Sequence, residues 1–112
     1  MSYIRLIRLP TSQEERLIKL LVEKSCLPIP LSWKEGLMVC PMNDGMMGSL
    51  YLFPKGAVVH GRKFGKQISS LQFTDADGVE VLVSLNVDRR GNLFELDIWK
   101  TNFEKLIKFP KL

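Results

Sequence analysis

Three places in the chain gather residue types that could do chemistry. The first is residues 41–48, where Asp44 stands among glycines and is followed by Met46 and Met47. A carboxylate beside glycine-freed backbone can contact a ligand, and exposed methionines make an adaptable binding surface. The alternative is a structural turn at Asn43-Asp44-Gly45 with the methionines folded inward. The second place is residues 55–66, KGAVVHGRKFGK, which combines Lys55, His60, Arg62, Lys63, Phe64 and Lys66 with three glycines. Cations beside an aromatic ring can grip phosphates and stack a nucleobase. The alternative there is a solvated connection. The third is Glu95 with Asp97, two carboxylates at i and i+2, a pairing that acid–base catalysis can use. Their alternative is the wet face of a strand.

Several chemistries lack their residues. The GxxxxGK[ST] spacing of a phosphate loop is absent. His60 is the sole histidine, which leaves no basis for a Ser-His-Asp or Cys-His arrangement or for a zinc site. No catalytic residue, metal ligand or cofactor site is assigned, and the chain is expected to be non-enzymatic.

Charge sharpens the choice among the three places. The net charge is +4, yet residues 54–66 carry four cations and no acid, while the segments on either side nearly balance. The excess belongs to one loop and not to a broad basic surface.

The elements that must position these residues centre on 79–100, VEVLVSLNVDRRGNLFELDIWK. Val79, Val81, Val83, Leu85 and Val87 alternate, and Phe94, Leu96 and Ile98 repeat the pattern beyond Asp88-Arg89-Arg90-Gly91. This predicts a β-hairpin with one buried face. Residues 67–74 are a further strand, joined through Asp75-Ala-Asp-Gly78. A three-residue loop there sets Phe73 opposite Val81 and Leu71 opposite Val83. For the second turn a tighter loop, with Leu85 opposite Phe94, keeps the carboxylates out of the core. Residues 37–40 and 49–53 read as two more strands, and Trp33 as a cover for the core.

Pro10-Thr11-Ser12 opens a helix. Thr11 with Glu14, or Ser12 with Glu15, fits a capping box, Leu17, Ile18, Leu20 and Leu21 form its apolar stripe, and its end is expected near Ser25, ahead of Pro28 and Pro30. Residues 3–9 read as an edge strand or extended lead-in, and 101–107 as a short helix. The predicted class is α+β: an antiparallel sheet of about five strands with one long N-terminal helix packed on one face, a single domain over 1–112.

At 46% hydrophobic and 25% charged, the composition suits a packed fold rather than disorder. No apolar run approaches the ~18 residues of a membrane span. The N-terminal apolar run is broken by Arg5 and Arg8, unlike a signal peptide. Cys26 and Cys40 have apolar neighbours and no CxxC spacing, and are expected as reduced, buried thiols of a cytoplasmic protein.

PMNDGMMGSL at 41–50, the stretch from Leu82 through LNVD at 85–88 to FELDIWK at 94–100, and LIKFP at 106–110 resemble an uncharacterised family of small bacterial proteins known as a domain of unknown function. With the helix that contains Glu15, the resemblance covers nearly the whole chain, and it implies no catalytic residues. In size and style the chain is also similar to immunity proteins of contact-dependent growth inhibition and related toxin systems. That likeness implies tight binding to one cognate toxin domain. The basic balance departs from it, since many such proteins are acidic. The leading expectation is a protein-binding domain that occludes a toxin, contacting it through Asp44, Met46, Met47, Lys55, His60, Arg62, Lys63, Phe64 and Lys66. The second is a nucleic-acid-binding module that uses the 55–66 loop, and a small hydrolase comes last. No membrane partner is expected.

Overall fold

A computed structural model describes residues 6–112. Of the two capping boxes the sequence allows, the one at Thr11 and Glu14 starts the helix: Thr11 Oγ1 accepts from the Glu14 amide at 3.1 Å, and Glu14 accepts from the Thr11 amide at 2.8 Å. The helix, α1 (Ser12–Glu23), has 12 residues, so the long helix expected from sequence is only about three turns. Leu17, Ile18 and Leu21 are fully buried, whereas Leu20 is partly exposed.

Five strands follow among the described residues: β1 (Met38–Pro41), β2 (Leu50–Phe53), β3 (Phe64–Thr74), β4 (Glu80–Asp88) and β5 (Leu93–Lys100). All pairs are antiparallel, in the order β1-β2-β5-β4-β3. The α1 helix packs on β3 and β4, and Ser69 Oγ donates to the Leu21 carbonyl at 2.7 Å. Val81, Val83, Leu85, Leu96 and Ile98 face the helix and are buried, with Trp33 packed at the margin as expected.

The first hairpin has the predicted register: Phe73 pairs with Val81 and Leu71 with Val83. The second corrects the expectation. Leu85 pairs with Leu96, and Asp88 takes the same three-residue loop as Asp75, with Asp88 N–H donating to Asn92 O at 2.8 Å. A bulge restores the apolar phase. Asn86 pairs with Glu95 but Val87 with Leu93, so Phe94 is the extra residue and lies half-buried outside the core.

Other expectations also shift. Strand β3 begins at Phe64, so the end of the supposed 55–66 loop is strand. Residues 101–107 form a turn and an extended tail instead of a helix. That tail is held by Asp75, which accepts from the amides of Ile107 and Lys108 and pairs with buried Lys100 at 2.8 Å. Cys40 is buried, but Cys26 is exposed, and both thiols are free. The lead-in at 3–9 lies partly outside the described residues; within them, Arg8 bridges Val39. No described helix is long and apolar enough to cross a membrane.

Candidate functional site

The chain leaves β2 at Pro54, turns through a short 3-10 segment (Pro54–Gly56), and crosses the end of the sheet before entering β3. Arg62 fixes that crossing. Its Nε donates to Asp88 Oδ2 at 2.9 Å, Nη1 donates to the Leu52 carbonyl at 2.7 Å, and Nη2 donates to the Leu93 carbonyl. The guanidinium also lies 4.8 Å from the centre of the Phe94 ring. One side chain thus ties the loop to the ends of β2, β4 and β5.

Two backbone contacts draw the loop against the hairpin tip at 89–91. The Arg89 amide donates to the Lys63 carbonyl at 3.1 Å. Gly65 lies so close that a Cβ there would come within 2.4 Å of the Asp88 carbonyl oxygen. Only glycine permits this approach.

Between loop and tip runs a cleft of about 570 Å³, lined by Lys55, Val59, His60 and Lys63 from one side and Arg89 and Arg90 from the other. Asp88 is the single acid in the lining, and Arg62 neutralises it. Burial pushes the Asp88 carboxyl up, but the Arg62 hydrogen bond and the Asn92 and Arg90 amides outweigh burial and hold it below its usual range. Lys55, Lys63, Arg89 and Arg90 form no ion pair among the described residues. Such a cleft is chemically suited to hold an anionic group.

The residues singled out from sequence divide between places. Lys55, His60, Arg62 and Lys63 line the cleft, and Arg62 alone of them is tied down, by Asp88 and the Leu52 and Leu93 carbonyls. Phe64 and Lys66 lie exposed at the start of β3, outside the lining. Arg89 and Arg90 were missed, because their stretch read only as a turn. The register of the first hairpin carried the signal: run unbroken it sets residues 64–66 beside 88–90, and two bulges slide this to Phe64 opposite Asp88 and Lys66 opposite Val87.

Asp44, Met46 and Met47 are elsewhere. Asp44 accepts from the amides of Met47 and Ser49 at 3.2 and 3.0 Å, which is the work of a structural turn. Met47 Sδ accepts from the Lys100 amide, and Met46 projects into solvent. Glu95 and Asp97 lie half-buried on the sheet face away from α1, opposite Asn86 and Ser84 as the strand pattern predicts.

Among known proteins, a family model described as "Domain of unknown function (DUF6984)" matches residues 7–110. No curated protein and no solved structure matches the chain. The chain belongs to the DUF6984 family.

Proposed function

We propose that this DUF6984 member is a non-catalytic, cytoplasmic binding protein whose basic cleft docks on an acidic surface of a protein partner. In its most specific form the partner is a bacterial toxin domain that the protein occludes. The observation that carries the reading is the convergence of Lys55, Lys63, Arg89 and Arg90 from two loops onto one clamped frame. Because the frame is fixed by Arg62 and Gly65, little ordering entropy is lost on docking. Val58 and Val59 are exposed beside the cations, so the patch joins apolar area to charge as protein interfaces do.

A nucleic-acid reading draws on one observation: Phe64 is 52% exposed at the strand start beside the cations, placed to stack a base. Salt separates the two. Phosphate contacts by four cations give a log–log salt slope of about −3 to −4. A packed protein interface is less sensitive.

The experiment pairs the protein with the toxin domain encoded beside its gene. Co-expression should restore growth, and Lys55, Lys63, Arg89 and Arg90 changed together to Glu should slow association while the fold survives. A neighbourhood without such a gene would overturn the toxin reading. Tight, salt-labile retention of mixed RNA or DNA, abolished by the four changes, would replace the protein partner with nucleic acid.

A further inference from the structure

The two edges of the sheet are finished differently. Strand β1 is bridged on its outer side by Arg8, whose amide donates to the Val39 carbonyl at 2.9 Å and whose carbonyl accepts from the Val39 amide at 2.8 Å. Strand β3 is the other edge. There the Cys26 amide donates to the Ile68 carbonyl at 2.9 Å, and no other described backbone group reaches β3 from its outer side. The hairpin turn shows which groups are left over. The Asp75 amide donates to the Val79 carbonyl at 2.9 Å, so, counting back in twos, Phe73 and Leu71 exchange their backbone hydrogen bonds with Val81 and Val83. Ser70, Gln72 and Thr74 alternate with them and turn their N–H and C=O groups away from β4. All three residues are exposed.

An unpaired edge is ordinarily blunted by charge, proline or a bulge. The stretch 67–74, QISSLQFT, carries no charge and no proline. Both irregularities of β3, between Phe64 and Lys66 and between Gln67 and Ser69, come before Ser70, so 70–74 stays regular. Charge gathers only beyond the two ends of this stretch, and with opposite sign.

Lys66 stands before it and Asp77 and Glu80 stand after it, all exposed. Neither Lys66 nor Glu80 forms an ion pair among the described residues. An edge that is neutral in the middle, positive at one end and negative at the other complements its own reverse.

We propose that this edge takes a second copy of the chain, β3 pairing antiparallel with β3 about a two-fold axis at Gln72, so that two sheets join into one. In that register Ser70 faces Thr74 of the second copy and Gln72 faces its counterpart. Each of the three pairs exchanges two backbone hydrogen bonds, which meets every outward group of the stretch. On the α1 face, half-buried Leu71 comes beside Phe73 of the second copy and carries the apolar layer across the margin of the sheet. On the other face the Ser70 and Thr74 hydroxyls are neighbours. Farther out, Lys66 approaches the turn that bears Asp77. Centring the axis on Leu71 would set Thr74 opposite Ile68, whose carbonyl Cys26 already holds. Centring it on Phe73 would leave Ser70 facing the turn. Because the axis relates like edges and Arg8 bridges β1, assembly closes at two copies. The pairing uses no residue that lines the basic cleft, so either proposal can fail without the other.

Sedimentation equilibrium of the full chain should give twice the mass of one chain at about 100 µM. Gln72→Pro removes an outward N–H and leaves the β3–β4 hydrogen bonds in place. Gln72→Lys sets like charges face to face across the axis. Each should weaken the dimer about tenfold or more. Circular dichroism checks that the variants fold, and the lysine, on an exposed side chain, serves even where the proline does not. Amide exchange reads the register: the N–H groups of Ser70, Gln72 and Thr74 should slow as protein concentration rises, and Gln72→Lys should restore their fast exchange. A single-chain mass up to about 1 mM, a dimer that neither substitution weakens, or a dimer in which these three amides exchange as in the dilute chain would overturn the proposal.

Discussion

Arg62 and Asp88, 26 residues apart in sequence, meet at 2.9 Å with side chains only 10% and 4% exposed. This contact makes Arg62 a structural clamp and not one of the free cations of its loop. Charge reversal at Arg62 would therefore damage the fold, whereas reversal at Lys55 or Lys63 would not.

Replacing Arg62 by alanine strands a buried carboxylate and two backbone carbonyls. We expect a loss of about 3–5 kcal/mol in urea unfolding. Arg62→Lys retains the charge but cannot span three separate acceptors, and should recover only part of that loss. Equal stability of Arg62→Lys and the wild type would show that charge alone, without the fork of donors, holds the loop.

Gly65→Ala places a methyl group against the Asp88 carbonyl. The strand start and the hairpin tip must separate, at an expected cost of about 1–3 kcal/mol. Amide exchange at Arg89, whose N–H reaches the Lys63 carbonyl, should quicken more than exchange in the middle of β4. Unchanged exchange at Arg89 would mean that the tip does not depend on this close approach.

Stability should vary with pH in two opposed ways. Burial pushes the Asp75 carboxyl up, but the Ile107 amide, Lys100 and further backbone amides hold it far below its usual range, and Asp88 is lowered as well. These two stabilise the fold fully above their unfolded value of about 3.9, and the contribution is lost as pH falls through their folded values. Glu95 and Asp97 are raised, so the native state holds their protons more tightly than the unfolded chain does. Their effect is to lower stability as pH rises from about 4 through the raised folded values. Urea midpoints measured across pH should therefore peak on the mildly acidic side. The double variant Glu95→Gln with Asp97→Asn should flatten the slope toward neutrality and keep the acid limb. A neutral-side slope that survives both substitutions would place the titrating groups elsewhere.

The two cysteines should differ in reactivity. Exposed Cys26 should alkylate in the native protein, while Cys40, whose thiol is pushed up by burial, should react only on unfolding. Mass spectrometry should find one rapid label on the native chain and two in denaturant without reductant. No label in denaturant would reveal a disulfide.

Periodicity located the strands because each buries one face, and two candidate capping boxes, at Thr11/Glu14 and Ser12/Glu15, located the helix start to within one residue. The bulge at Phe94 was hidden, because Phe94 extends the alternation Phe94, Leu96, Ile98 as well as Leu93 breaks it. Half of the cleft was hidden for another reason. Arg89 and Arg90 face Lys63 only once the β3–β4 register is carried past the part that periodicity fixes. The outer-face cluster was legible as Ser84 and Asn86 opposite Glu95 and Asp97. That Asn86 keeps one buried side-chain oxygen without a hydrogen-bond partner among the described residues was not, since this depends on which way one amide points.

The position of β5 bears on how the protein is made. In chain order it is the last strand, yet in space it lies between β2 and β4. On the ribosome, α1, β1 and β2 emerge before any of the larger hairpin to which they must be joined. The β3–β4 pair can close early, because its contacts are local in sequence. The β1–β2 pair must wait, with one edge open, until Leu96 arrives to meet Leu50. A pause in translation just before β5 would therefore hold two half-sheets with exposed apolar faces, the state most open to chaperone capture or to aggregation.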